Sequence, residues 1–134
     1  MSRRQGGTRR QDQAGVLVTV CRGCCCGTAA KHPDVDHDDQ LHQFRRSLAG
    51  SARVHVSDCL DACERSNVVV VTPSPAGRRA GGRPAWFGEV LDPSSTAHLA
   101  GWAAAGGPGL AHRPQTLDMH YFRPTRRARQ GAQQ

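Results

Sequence analysis

The sequence predicts an α/β fold: a small mixed sheet in the order β-α-β-β-β-α, with helices packed on it. Three observations carry this expectation. Short β-branched or Leu-rich runs occur at residues 16–20, 52–56 and 68–71, a helical pattern at 36–49 separates the first two, and a second helical pattern spans 93–105. Strand, helix, strand in succession implies a parallel pair with a right-handed crossover. The two later strands read as an antiparallel hairpin, and the fold is compact over about 16–107.

Each element has a local reason. Val16-Leu17-Val18-Thr19-Val20 suits a buried strand, and Cys21 follows it directly. Residues 22–35 read as a loop. In the helix, Leu41, Phe44 and Leu48 share one face. Asp36, Asp38 and Asp39 sit in its first turn, Arg45 and Arg46 sit near its end, and Gly50 stops it. Ala52-Arg53-Val54-His55-Val56 is the second strand, with Cys59 and Cys63 after it. Val68 to Val71 reads as a strand covered on both faces. Residues 73–85, rich in Pro, Gly and Arg, read as a long loop, and 86–91 as a strand hairpinned back on 68–72. Asp92 is a good N-cap, Pro93 suits the first helical position, Leu99 and Trp102 share a face, and Gly106-Gly107 ends the helix. Beyond Gly109, apolar residues are sparse and unperiodic.

Charge divides the chain into three parts. The net charge of the 134 residues is +7, and the tails hold all of it. Residues 1–15 are +3 and read as a disordered basic arm; residues 111–134 are +4 and read as a basic flexible tail; the domain at 16–110 is neutral. The folded part offers no basic face with interleaved aromatics, which argues against a nucleic-acid partner. No apolar run approaches the ~20 residues of a membrane span. The five residues 16–20 fall short of a secretory signal, which needs an apolar stretch of ~7–15, and the arginine pairs at 3–4 and 9–10 lack that stretch too. The expected location is the cytoplasm. There, six cysteines read as metal ligands or redox thiols rather than structural disulfides.

The cysteines form a constellation. Cys21 lies at the C-terminal end of the first strand and Cys59 just past that of the second. Parallel strands finish on the same sheet edge, where open α/β sheets place their ligands, so the two loops should meet. One loop offers Cys21, Cys24, Cys25 and Cys26; the other offers Cys59 and Cys63. Four thiolates suit a tetrahedral zinc or an iron–sulfur cluster. The C-x3-C pair fits zinc in principle, but its loop lacks the glycine common in zinc knuckles. It reads as an extended loop with backbone N–H groups free to point inwards, and such donors tune a cluster's potential.

Asp58-Cys59-Leu60-Asp61-Ala62-Cys63-Glu64-Arg65-Ser66-Asn67, followed by Val68 to Val71, Thr72 and Pro73, resembles the thioredoxin-like [2Fe-2S] ferredoxins. Trp86-Phe87-Gly88 followed by Val90 is similar to that family's aromatic-Gly-x-Val strand, and the helix at 93–105 follows as it does there. The resemblance covers about 16–107 and implies a thioredoxin-like fold. Stand-alone members usually have a longer gap between their first two ligands. The related small subunit of respiratory NADH dehydrogenase has a short C-x4-C, which here selects Cys21 and Cys26. The resemblance thus implies a [2Fe-2S] cluster on Cys21, Cys26, Cys59 and Cys63, with Cys25 or Cys24 as alternatives to Cys26. It implies an electron-transfer protein with a redox partner protein, not an enzyme. The family is often dimeric, which leaves room for a homodimer, although the sequence shows no interface signature.

Other readings stand beside this one. The cysteines also suit a zinc-binding or metal-handling module, or a thiol redox protein. The C-x-x-C at Cys21–Cys24 precedes no immediate helix, as a thiol oxidoreductase would require. His32, Asp34, Asp36, His37, Asp38 and Asp39 read as a solvated loop and helix cap, against a metal or redox-linked protonation site. Trp86 and Trp102 read as core, and Arg78, Arg79 and Arg83 as a solvated loop.

Overall fold

The structure, a computed structural model, describes residues 15–23, 26–60, 62–126 and 128. The first apolar run forms β1 (Val16–Cys21). Helix α1 (His37–Leu48) is capped by Asp36, whose carboxylate accepts the Asp39 N–H at 2.9 Å. It buries Phe44 and Leu48 and returns the chain to β2 (Ala52–Ser57), parallel to β1, with Cys21 opposite Ser57. A 3₁₀ turn (Cys63–Arg65) leads to β3 (Val69–Thr72), antiparallel on the other side of β1. After α2 (Pro75–Arg79), β4 (Ala85–Phe87) pairs antiparallel with β3. Helix α3 (Pro93–Ala104) follows, capped by Asp92, and β5 (Tyr121–Phe122) closes the sheet against β4. The strand order is β2-β1-β3-β4-β5. Among the described residues no helix is long and apolar enough to cross a membrane.

The two-residue period of a strand sorts the sheet into two faces. Val16, Val18 and Val20 of β1, Val69 and Val71 of β3, and Ala85 and Phe87 of β4 face α1 and α3, where they pack with Phe44, Leu48, Leu99 and Trp102. The other face carries Cys21, Val68, Val70 and Trp86, with Cys26, Leu60, Ala62 and Ala128 in the same cluster. The valines at 68–71 are therefore buried on both sides, as the sequence predicts, and both tryptophans are core.

Four departures from the sequence reading have local causes. Within the expected long loop at 73–85, Ser74 accepts the Gly77 N–H at 3.0 Å and Pro75 starts α2: a cap and an N-terminal Pro nucleate a short helix without an apolar stripe. The expected strand 86–91 ends at Phe87, because Glu89 adopts φ +57 and leaves the extended region. The segment from 111, expected to be a basic flexible tail, supplies a 3₁₀ turn (Gln115–Leu117), buried Leu117 and β5. Its four large apolar residues, Leu117, Met119, Tyr121 and Phe122, are too few to make a period. Finally, His37 is buried rather than part of a solvated cap. The expected arm at 1–15 lies outside the described residues save for Gly15.

Candidate metal centre

The parallel register brings the two cysteine loops together. β1 and β2 end level, and the Arg22 N–H donates to Ser57 O at 3.0 Å just beyond them. Gly23 then lies so close to the second loop that a Cβ there would overlap the Cys59 backbone nitrogen and stand 2.9 Å from the Asp58 carbonyl carbon. Only glycine allows this approach. The first loop turns back through a Cys26 N–H bond to Gly23 O of 3.1 Å.

The turn sets Cys26 beside Cys21, and both are buried while Cys59 is exposed. The backbone of Cys63 starts the 3₁₀ turn. Cys24, Cys25 and the Cys63 side chain lie outside the described residues, so the structure shows two of the expected ligands side by side, a third on the adjoining loop, and the fourth by its backbone alone. Among the described residues no three His, Cys, Asp or Glu side chains converge as a metal site.

The sulfurs sit among donors. The Cys21 thiol donates to Asp58 O at 3.6 Å. As a thiolate, Cys21 is stabilised first by a hydrogen bond from the Cys26 thiol, then by the Gly23 and Leu60 N–H groups and the Arg22 charge; these outweigh burial and bring its pKa from 9.0 to about 6. Cys26 Sγ accepts the Val68 N–H at 3.4 Å. Inward-pointing N–H groups thus come from both loops, as the sequence expects of the second. A buried thiolate supplied with N–H donors suits metal ligation, and its donor set is the kind that iron–sulfur clusters use.

Behind the cysteines lies a polar layer that sequence reasoning missed. Arg22 donates to Cys21 O at 2.9 Å, to His37 O at 3.0 Å and to Gln40 Oε1 at 2.9 Å. Burial lowers the Arg22 pKa, and the charges of Cys26 and Cys21 oppose that. Gln40 also donates to Val90 O at 2.7 Å, and Asn67 is fully buried. One signal was available: His37 precedes Leu41 by four residues, on the stripe that continues to Phe44 and Leu48. A histidine on the buried stripe needs polar partners inside.

No family model matches the chain, and no curated protein matches it in sequence. In fold the chain is similar to a solved structure, a thioredoxin-like [2Fe-2S] ferredoxin from Aquifex aeolicus, with a TM-score of 0.51 and 20% sequence identity, over 82% of this chain and 94% of that one. The fold is thioredoxin-like.

Proposed function

We propose that this chain is an electron-transfer protein holding a [2Fe-2S] cluster on Cys21, Cys26, Cys59 and Cys63, and that it serves a redox partner protein in the cytoplasm rather than acting on a substrate. The observation that carries this reading is the meeting of the two cysteine loops at one sheet edge, with Cys21 drawn to about 6 and backbone N–H groups directed at the sulfurs. The likeness to a thioredoxin-like [2Fe-2S] ferredoxin supports it.

When bound, such a cluster supplies one-electron transfer. The chain's own residues do the rest. Cys21 is deprotonated at neutral pH and ready to ligate. The Val68 N–H withdraws charge from Cys26 Sγ, which favours a more reduced centre. Trp86, Val70, Leu60 and Ala62 wall the inner side against water, while exposed Cys59 marks the side from which a partner exchanges electrons.

Protein purified anaerobically should be brown, with visible charge-transfer bands that bleach with dithionite. Cys59→Ser and Cys63→Ser should each remove or perturb the bands. Colour that survives Cys26→Ser but not Cys25→Ser reassigns the second ligand. A colourless protein with one bound zinc sinks the reading. The hydrogen-bonded Cys21–Cys26 pair favours one other function, dithiol–disulfide exchange with a partner. A metal-free protein that forms a reversible Cys21–Cys26 disulfide would establish it.

A further inference from the structure

We propose that Asn67 and His37 form a directional hydrogen-bonded lock that positions the first cysteine loop, so that they are positioning residues for the centre rather than ligands. The inference deepens the cluster reading and rests on it for its functional meaning. The lock itself is a property of the metal-free chain.

The direction of every bond follows from its fixed ends. The Gly27 N–H can only donate, and it lies 2.8 Å from the Asn67 amide oxygen. That contact sets the amide, so Asn67 Nδ2 points the other way, to His37 Nδ1 at 2.9 Å. The His32 carbonyl can only accept, and it lies 3.1 Å from His37 Nε2, so Nε2 carries the ring proton and Nδ1 is the acceptor that Asn67 needs. The amide orientation and the ring tautomer are thus required independently from opposite ends, and they agree. Asn67 is fully buried and His37 nearly so. Water cannot readily replace either partner, and a buried polar group left unpaired is costly.

What the lock holds is informative. Gly27 directly follows Cys26, and Asn67 directly precedes Val68, whose N–H donates to Cys26 Sγ. Asn67 therefore ties down the loop on the C-terminal side of Cys26 while its neighbour bonds the sulfur. His37 anchors Asn67 to α1, the longest element beside the loop. Arg22 braces the same corner by donating to His37 O, Cys21 O and Gln40 Oε1. A first loop with three adjacent cysteines presents sulfur in several registers, and holding Gly27 selects the register that places Cys26 against Cys21.

The test uses the full chain in two states. In the metal-free protein, amide hydrogen exchange at Gly27 should be slow in the wild type and in His37→Gln. A glutamine amide there can still accept from Asn67 and donate to His32 O. Exchange should be fast in Asn67→Leu and His37→Phe. In protein reconstituted with iron and sulfide, Asn67→Leu and His37→Phe should lose their visible bands to a chelator about 10–100-fold faster than wild type, the usual effect of removing a group that supports a ligand. His37→Gln should stay close to wild type, and Asn67→Leu combined with His37→Phe should be no worse than the stronger single change. Equal Gly27 exchange in all variants overturns the lock, as does equal cluster loss in wild type and Asn67→Leu. A His37→Gln protein that behaves as His37→Phe overturns the hydrogen-bonded role in favour of ring packing. If Asn67→Leu does not fold, the Gln and Phe pair at His37 decides alone. If wild type takes up no cluster yet protects Gly27 in the way described, the cluster reading fails and the lock stands.

Discussion

At the scale of single residues, Cys21 has the most distinctive chemistry. Its thiolate is supported chiefly by the Cys26 thiol, which holds the pKa near 6 against an ordinary 9.0. In metal-free protein, alkylation of Cys21, followed by peptide mapping, should therefore rise through pH 6 and approach its plateau above neutrality. Cys26→Ala removes the largest cause and should move that rise upward by a unit or more of pH. The same depression has a sign for stability. A group whose pKa is lowered by folding stabilises fully above its unfolded pKa, and that contribution is lost as pH falls through the folded one. Metal-free wild type should thus gain stability between about 6 and 9, and Cys26→Ala should gain less, as read by urea titrations across that range. The cysteines themselves were legible in the sequence because strand ends and loop spacing suffice to group them. The Arg22, His37 and Asn67 layer was not, since its bonds join residues up to 40 positions apart in the chain, many of them through backbone groups that carry no residue signature.

At the scale of elements, caps decide boundaries. Asp92 accepts the Ser95 N–H at 3.1 Å and the Ser95 hydroxyl at 2.6 Å, and the Ser95 hydroxyl is the main reason its carboxyl is held below 3.8. Asp92→Ala should cost about 1 kcal/mol in chemical denaturation at neutral pH, a typical value for an N-cap. Because the folded pKa is lowered, the ionic part of that contribution is complete above about 3.8 and fades as pH falls further. The wild type and variant should accordingly converge in acid. α3 begins where the sequence placed its Asp92 cap, while Asp36, read as part of the first turn, is itself the cap of α1; each satisfies an orphan N–H group. Short elements were hidden for the opposite reason. α2 has five residues and β5 two, and neither is long enough to express a period. β5 depends on tertiary contacts instead: Phe122 packs edge-on to Trp86 with centroids 6.1 Å apart, and Arg65 lies 5.0 Å over its ring.

At the scale of the molecule, the described part of the C-terminal segment is structural. Leu117 is fully buried in the helix-side core. Leu117→Ala should cost about 2–5 kcal/mol, as expected for a cavity in a packed core, measured by urea unfolding; a loss below 0.5 kcal/mol would return the segment to the status of a tail. Architecture was the most legible level, because parallel β1 and β2 follow from strand, helix, strand, and the two-sided burial of β3 follows from four successive valines. The strand order carries one more consequence. With β2 outermost among the described strands, its six residues form one rim of the sheet, with the N–H and C=O groups of alternate residues turned away from β1, while the opposite rim at β5 is only two residues long. A rim of that length is a template for unwanted pairing between copies. Arg53 and His55 stand exposed along it, so two copies brought rim to rim would set basic groups against one another. The same strand that carries the chain to Cys59 is thereby guarded against aggregation.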